Sequence, residues 1–187
     1  MKNSFCCFVL AGMSCLFSMH AHAQKSANRL EIEIDPIAYI LRGYSFHAGY
    51  NVGNIRFDAG FFAIKQPSFF ISDERFSIYT RGAGLKADYF FKQNRGLFFG
   101  LQSDYVIDRI TLNETGQKLP VDYFTAGLRT GYRFSFGKEE NQHRGFYVVP
   151  WVAFIYSVNA PKAVFESAVF ESTSWSIFPT VHVGWRF

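Results

Sequence analysis

Val181-His182-Val183-Gly184-Trp185-Arg186-Phe187 closes the sequence, and it alternates. Val181, Val183, Trp185 and Phe187 share one parity, His182 and Arg186 the other. Followed backwards, Trp175 and Ile177 join the apolar set, while Ser174, Ser176 and Thr180 join the polar one. A period of two held this long describes a strand with two chemically different faces. An apolar face carried through to a final aromatic is not what a water-soluble domain needs, because termini normally fray in water.

The same alternation recurs along the chain. A first strand is expected over residues 29–41, with Leu30, Ile32, Ile34, Ala38 and Ile40 opposite Glu31, Glu33 and Asp35. Further strands are expected over 44–51, 55–63, 76–91, 97–105, 124–136, 146–158 and 174–187. Asn51-Val52-Gly53-Asn54 and Gln93-Asn94-Arg95-Gly96 have turn chemistry, since Gly and Asn tolerate positive φ. In the fourth strand Phe76, Ile78 and Thr80 lead the apolar set, but beyond Gly82-Ala83-Gly84 it passes to Leu85, Ala87, Tyr89 and Phe91. A β-bulge at the glycines would restore the facing. Residues 65–74, 108–120 and 159–173 read as loops. With the first strand rising from the periplasm, all three fall on the extracellular side and the short turns fall on the periplasmic side.

Upstream, Lys2 precedes a mostly apolar run over 5–19, and Ala21-His22-Ala23 offers small residues for cleavage before Gln24. Residues 1–23 therefore read as a secretory signal peptide, being too short and too interrupted by Ser14 and Ser18 for a membrane anchor. Cys6, Cys7 and Cys15 all lie inside it, so the mature chain is expected to lack disulfides, thiol ligands and thiol nucleophiles. Cys15 lacks the preceding Leu of a lipoprotein signal.

Residues 24–187 then form one domain with no run suited to a spanning helix. Spanning strands take ~9–11 residues each, which leaves room for about eight. The expected fold class is all-β: a closed antiparallel up-and-down transmembrane β-barrel of eight strands, with ten short strands as the alternative. Facing follows from charge and size. Twenty-three Phe and ten Tyr sit mostly on the apolar parity, too many rings for so narrow an interior. Reversal would put Arg56, Lys86, Arg129 and Arg133 into lipid at ~2–4 kcal/mol each near the midplane. Tyr44, Tyr89, Tyr105, Tyr132, Trp175 and Trp185 fall near strand ends, where aromatic girdles meet headgroups. Pro36, Pro150 and Pro179 fall within expected strands, each deleting a ladder donor.

The chain resembles the small bacterial outer-membrane barrels of the OmpA, OmpX and OmpW kind, through its pattern along residues 24–187 and its aromatic-ended last strand. That resemblance implies a Gram-negative outer-membrane location, contact with outer-membrane lipids and lipopolysaccharide, and delivery by periplasmic chaperones. It also implies an assembly signal, Val181, Val183, Trp185 and Phe187, read by the barrel-assembly machinery. The formal net charge of +4 could favour lipopolysaccharide phosphates, but no basic cluster appears and a solvated surface is the simpler reading.

The polar parity gathers a candidate lumen network: Glu31, Glu33, Asp35, His47, Arg56, Asp58, Lys86, Asp88, Asp104, Arg129, Arg133, His182 and Arg186. Closing the barrel pairs the last strand with the first and brings Arg186 towards Glu31 or Glu33. A salt-bridged plug is expected in preference to a selective pore, since small barrels are filled by their own side chains. His47 and His182 flank the carboxylates of strand one, half of a hydrolase constellation with Ser45 or Ser176 as nucleophile. Both histidines have lumen parity, however, and His182 is followed by Val183-Gly184 rather than the Ser-Asn of lipid A deacylases. Two histidines without a third ligand make a poor zinc site. No catalytic residue, metal, cofactor or nucleic-acid motif is assigned. The duplicated Ala163-Val164-Phe165-Glu166-Ser167 and Ala168-Val169-Phe170-Glu171-Ser172 has an odd period, so one strand would turn the copies to opposite faces. It reads as an extracellular extension, either a binding edge or a tolerated duplication. The functional expectation is a non-enzymatic envelope barrel acting through its extracellular loops. The alternatives are a lipid A-modifying hydrolase and a small-solute channel.

Overall fold

The computed structural model describes residues 30–187; the expected signal peptide, residues 1–23, lies outside them. Eight strands close a barrel: β1 (Leu30–Ile34), β2 (Tyr44–Val52), β3 (Ile55–Lys65), β4 (Phe76–Lys92), β5 (Arg95–Leu112), β6 (Lys118–Ser135), β7 (Gly145–Val158) and β10 (Trp175–Arg186). Sequence neighbours pair antiparallel, and β10 returns to β1 with Glu31 opposite Arg186 and Ile34 opposite Val183. A separate hairpin, β8 (Lys162–Val164) with β9 (Val169–Glu171), fills the last connection. Among the described residues no helix is long and apolar enough to cross a membrane.

Period-two burial sorts the faces. In β2, Ser45, His47 and Asn51 are buried, whereas Tyr44, Phe46, Tyr50 and Val52 are exposed. Phe57, Leu85, Leu101, Leu128 and Ile177 are each more than half exposed. So large a continuous apolar exterior around buried charge suits lipid, not water. Tyr44, Tyr89, Tyr105, Tyr132, Trp175 and Trp185 all face outward.

The first strand is shorter than the alternation suggests. β1 stops at Ile34, and a helix, α1 (Pro36–Ile40), takes over the expected second half of the strand. Asp35 caps α1, its carboxylate accepting from the Ile37 N–H at 2.8 Å, and Pro36 occupies the first turn where no donor is needed. Consequently β10 has a strand neighbour on both sides only over residues 183–186. Pro179 sits in the one-sided part, and its pairing with β7 runs unbroken, so the missing donor belongs to the edge facing α1. Pro150 is accommodated differently. Its ladder to β6 stops at Gly131 with Trp151 and resumes at Phe134 with Val148.

No bulge occurs at Gly82-Ala83-Gly84. The β3–β4 register is continuous from Ile55 with Tyr89 to Lys65 with Tyr79, and the one irregularity on β4 lies between Phe90 and Lys92. Even-numbered β4 residues point inward from Phe76 to Phe90, so Phe76 and Ile78 are interior while Tyr79 and Arg81 face out. The expected loop at 108–120 is largely strand as well: β5 runs to Leu112 and β6 starts at Lys118, leaving a short turn. In these extensions the polarity inverts: Phe76, Ile78, Ile110 and Leu112 turn inward while Arg81, Arg109 and Lys118 turn outward, the arrangement expected of a segment bathed in water. The duplicated segment folds back on itself, with Lys162 opposite Glu171 and Val164 opposite Val169. Ala163, Phe165 and Phe170 therefore share one face and pack on Phe76, Ile78, Ile110 and Leu112. Phe165 and Phe170 lie 5.5 and 5.3 Å, centre to centre, from Phe76.

Candidate functional site

The interior is the candidate site, and Glu31 anchors its lower half. Arg56 Nε donates to Glu31 Oε2 at 2.8 Å, Arg133 Nη1 to Oε1 at 2.8 Å, and Arg186 Nη1 to Oε1 at 3.0 Å. The Tyr147 hydroxyl adds a bond to Oε2 at 3.3 Å. β1, β3, β6, β7 and β10 thus meet on one carboxylate. Glu33, two residues along the same face, is ion-paired with Arg56 Nη2 at 2.9 Å through Oε1 and hydrogen-bonded to His182 Nδ1 at 2.9 Å through Oε2.

Arg56 spreads the network across the barrel, reaching Asp58 at 2.8 Å and Asp88 at 3.3 Å. Arg129 approaches Asp88 at 3.3 Å and lies over the Trp151 ring, 4.2 Å from its centre. Arg133 stacks on Tyr147 at 4.3 Å and Phe90 at 4.6 Å. Charges this far from water persist only when paired or stacked, and each guanidinium here has both an anion and a ring close by or shares an anion already held. His47 Nδ1 lies 3.0 Å from Asp58 and 3.1 Å from Lys86 Nζ, so it donates to the first or accepts from the second, not both. The two imidazoles are 5.0 Å apart.

Lumen glycines make this possible. A Cβ at Gly60 would run into the His47 ring, and one at Gly100 into the Asp88 carboxylate.

Of the candidate lumen residues, the structure brings Glu31, Glu33, His47, Arg56, Asp58, Lys86, Asp88, Arg129, Arg133, His182 and Arg186 into this one cluster, all buried. Asp35 and Asp104 make no ion pair with it. Asp35 is the cap of α1 rather than a strand residue, accepting from the Thr180 hydroxyl at 2.6 Å. Asp104 accepts from Gln102 at 3.0 Å and Thr125 at 3.1 Å. Along the closing strand, Val181 and Val183 are half-buried, Trp185 and Phe187 are exposed, and the Phe187 N–H donates to the Leu30 carbonyl at 3.1 Å.

Several participants are not marked out by the polar parity of the sequence. Phe90, Phe98, Tyr147 and Trp151 are interior rings that insulate the charges, exceptions to a parity on which most Phe and Tyr do face outward. The doublets Phe90-Phe91 and Phe98-Phe99 held the signal: adjacent strand residues face opposite ways, so one ring of each pair must turn in. Asp108, accepting from Thr80 at 2.6 Å and Tyr123 at 2.9 Å, was hidden by its assignment to a loop. Among the described residues no group of His, Cys, Asp and Glu is arranged to hold a metal ion.

Geometry and fold together define a class: a closed eight-stranded up-and-down barrel with an apolar exterior and an ion-paired interior. No protein-family model and no curated protein matches the chain. Among solved structures it is similar to Neisserial surface protein A (NspA), with a TM-score of 0.53 and 12% identity over 87% of this chain and 98% of that one. At that identity the likeness speaks for the fold.

Proposed function

We propose that this chain is a non-conducting, non-enzymatic outer-membrane barrel that acts at the cell surface through the end carrying β8 and β9. The observation that carries this reading is the contrast between the two halves. The membrane zone is closed by its own ion pairs and rings, whereas the β4–β6 extensions and the β8–β9 hairpin build a second apolar core above it. A core costs chain entropy to order, so an idle loop need not have one. That core holds the outward residues Val164 (65% exposed), Val169, Lys162 and Glu171 in fixed positions.

The likeness to Neisserial surface protein A is compatible with this placement. In this orientation the outer belt meets outer-membrane lipids and the upper rim meets lipopolysaccharide. The exposed Trp185 and Phe187 at the opposite end serve as the signal to the assembly machinery. Support for the non-enzymatic reading comes from the histidines. Both sit inside, His182 on Glu33 and His47 beside Asp58 and Lys86, away from the lipid-facing wall where an acyl ester would lie.

A cysteine placed at Val164 tests the reading, because the chain's three native cysteines all fall in residues 1–23. Val164→Cys is expected to react with a membrane-impermeant maleimide on intact cells, and Lys138→Cys, at the opposite end, only after the outer membrane is breached. The reverse pattern, or reaction of neither before lysis, would overturn the proposal.

A further inference from the structure

Above the ion network the barrel encloses a cavity of about 160 Å³. Charge is distributed unevenly along the axis. Below, five cations (Arg56, Lys86, Arg129, Arg133, Arg186) face four carboxylates (Glu31, Glu33, Asp58, Asp88) and pair with them. Around and above the cavity, Asp35, Asp104 and Asp108 are buried, and among the described residues none has a cation within 4.0 Å. Each accepts only from neutral donors: Asp35 from Ile37 and Thr180, Asp104 from Gln102 and Thr125, Asp108 from Thr80 and Tyr123. Lys86 and Arg129 act on Asp104 only at longer range, and three buried carboxylates with no ion pair of their own favour a further positive charge beside them.

A second, independent feature points into the same space. Ser45 (2% exposed) and Gln102 (7% exposed) line the cavity, and Ser45 Oγ and Gln102 Oε1 have no hydrogen-bond partner. The Gln102 amide nitrogen is already committed to Asp104, so what this side chain offers the cavity is an acceptor. One part of the wall is apolar, formed by Phe62, Val106, Ile155, Phe178 and the ring of Trp151; neutral hydroxyls and amides and the rings of His47 and His182 complete it. Trp151 Nε1 is also unpartnered, and Lys86 reaches the floor, but Lys86 is paired with Asp58 at 3.3 Å.

We propose that this cavity is a binding site for a small organic cation, a primary ammonium on a short aliphatic body. Its N–H groups donate to Gln102 Oε1 and Ser45 Oγ, Asp35 and Asp104 compensate its charge, and its carbon body lies against Phe62, Val106 and Phe178. An anion of the same size meets uncompensated carboxylates; an alcohol satisfies the acceptors but not the charge. The cavity reaches the surface beside Ser176, which is exposed and lies on the stretch of β10 that has no strand neighbour towards α1. The inference does not depend on which membrane holds the barrel or on what its surface hairpin meets.

Trp151 is the reporter. Replacing the outward Trp175 and Trp185 by Phe leaves it as the only tryptophan. The refolded full barrel in nonionic detergent is titrated with n-butylammonium, n-butanol and butyrate while Trp151 emission is followed. A saturable change with the ammonium is expected, with affinities at least about ten-fold weaker for the alcohol and the carboxylate. Asp104→Asn and Asp35→Asn are each expected to weaken the ammonium about ten-fold; Asn keeps the cap on α1, so the second variant decides if the first does not fold. No saturable response, an equal response to butanol or butyrate, or undiminished affinity in the folded Asn variants would overturn the proposal.

Discussion

Glu31 shows how one side chain can set the interior of a barrel. Its parity alone placed it in the lumen, and the closing register made Arg186 its neighbour; what the sequence could not say is that Arg56 and Arg133 converge there too. Their distance in sequence is large, and only strand tilt and stagger decide which rows meet on the axis. Removing the carboxylate leaves three guanidiniums facing one another with Tyr147 unpaired. Breaking a buried pair from one side costs ~3–5 kcal/mol, so Glu31→Ala is expected to lower the urea midpoint of the refolded barrel by a matching amount. Glu171→Ala is the control. Its pair with Lys162 is long, 3.8 Å, and both side chains are more than half exposed. Its effect is expected to fall within ~0–1 kcal/mol. Similar losses from the two variants would mean the cluster around Glu31 is not the internal brace described above.

At the level of elements, period-two reading located eight strands and their neighbours but misjudged where three of them end. The reason is physical. Alternation reports contrast between the two faces, and that contrast has one sign in lipid and the other in water. On β4 the apolar parity changes hands near Gly82, and a bulge accounts for such a change as well as a solvent boundary does; only the unbroken register separates the two. α1 was hidden for a related reason, since Leu30 to Ile40 alternates in apolar character whether or not the chain coils after Asp35. Pro36 behind an Asp was the available signal. The boundary can be located by charge. Leu85, 67% exposed, lies in the belt, so Leu85→Arg is expected to cost ~2–4 kcal/mol. Tyr79→Arg should cost nearly nothing, because Arg81 already faces outward two residues nearer the membrane. Folding free energies in vesicles of both variants check this. A heavy penalty at position 79 would return the β4 extension to the bilayer.

Taken whole, the molecule stacks two cores of opposite polarity, and its permeability follows from how the lower one is filled. An eight-stranded barrel has just enough interior for side chains. Here that space holds Arg56, Arg133, Tyr147, Phe90 and Phe98, all at most 2% exposed, and Trp151 at 7%. A hydrated ion crossing would have to displace rings as well as open the salt bridges of the lower network. The wild-type barrel in planar bilayers is therefore expected to show no discrete conductance steps. Glu31→Ala separates the two obstacles. It loosens the ion pairs but leaves Phe90, Phe98, Tyr147 and Trp151 in place, so a variant that is measurably less stable should stay as silent as its parent. Conductance that appears in Glu31→Ala alone would assign the closure to electrostatics rather than to packing. Steps in the wild type would show that water threads the network, and the plug would have to be reread as a selective filter.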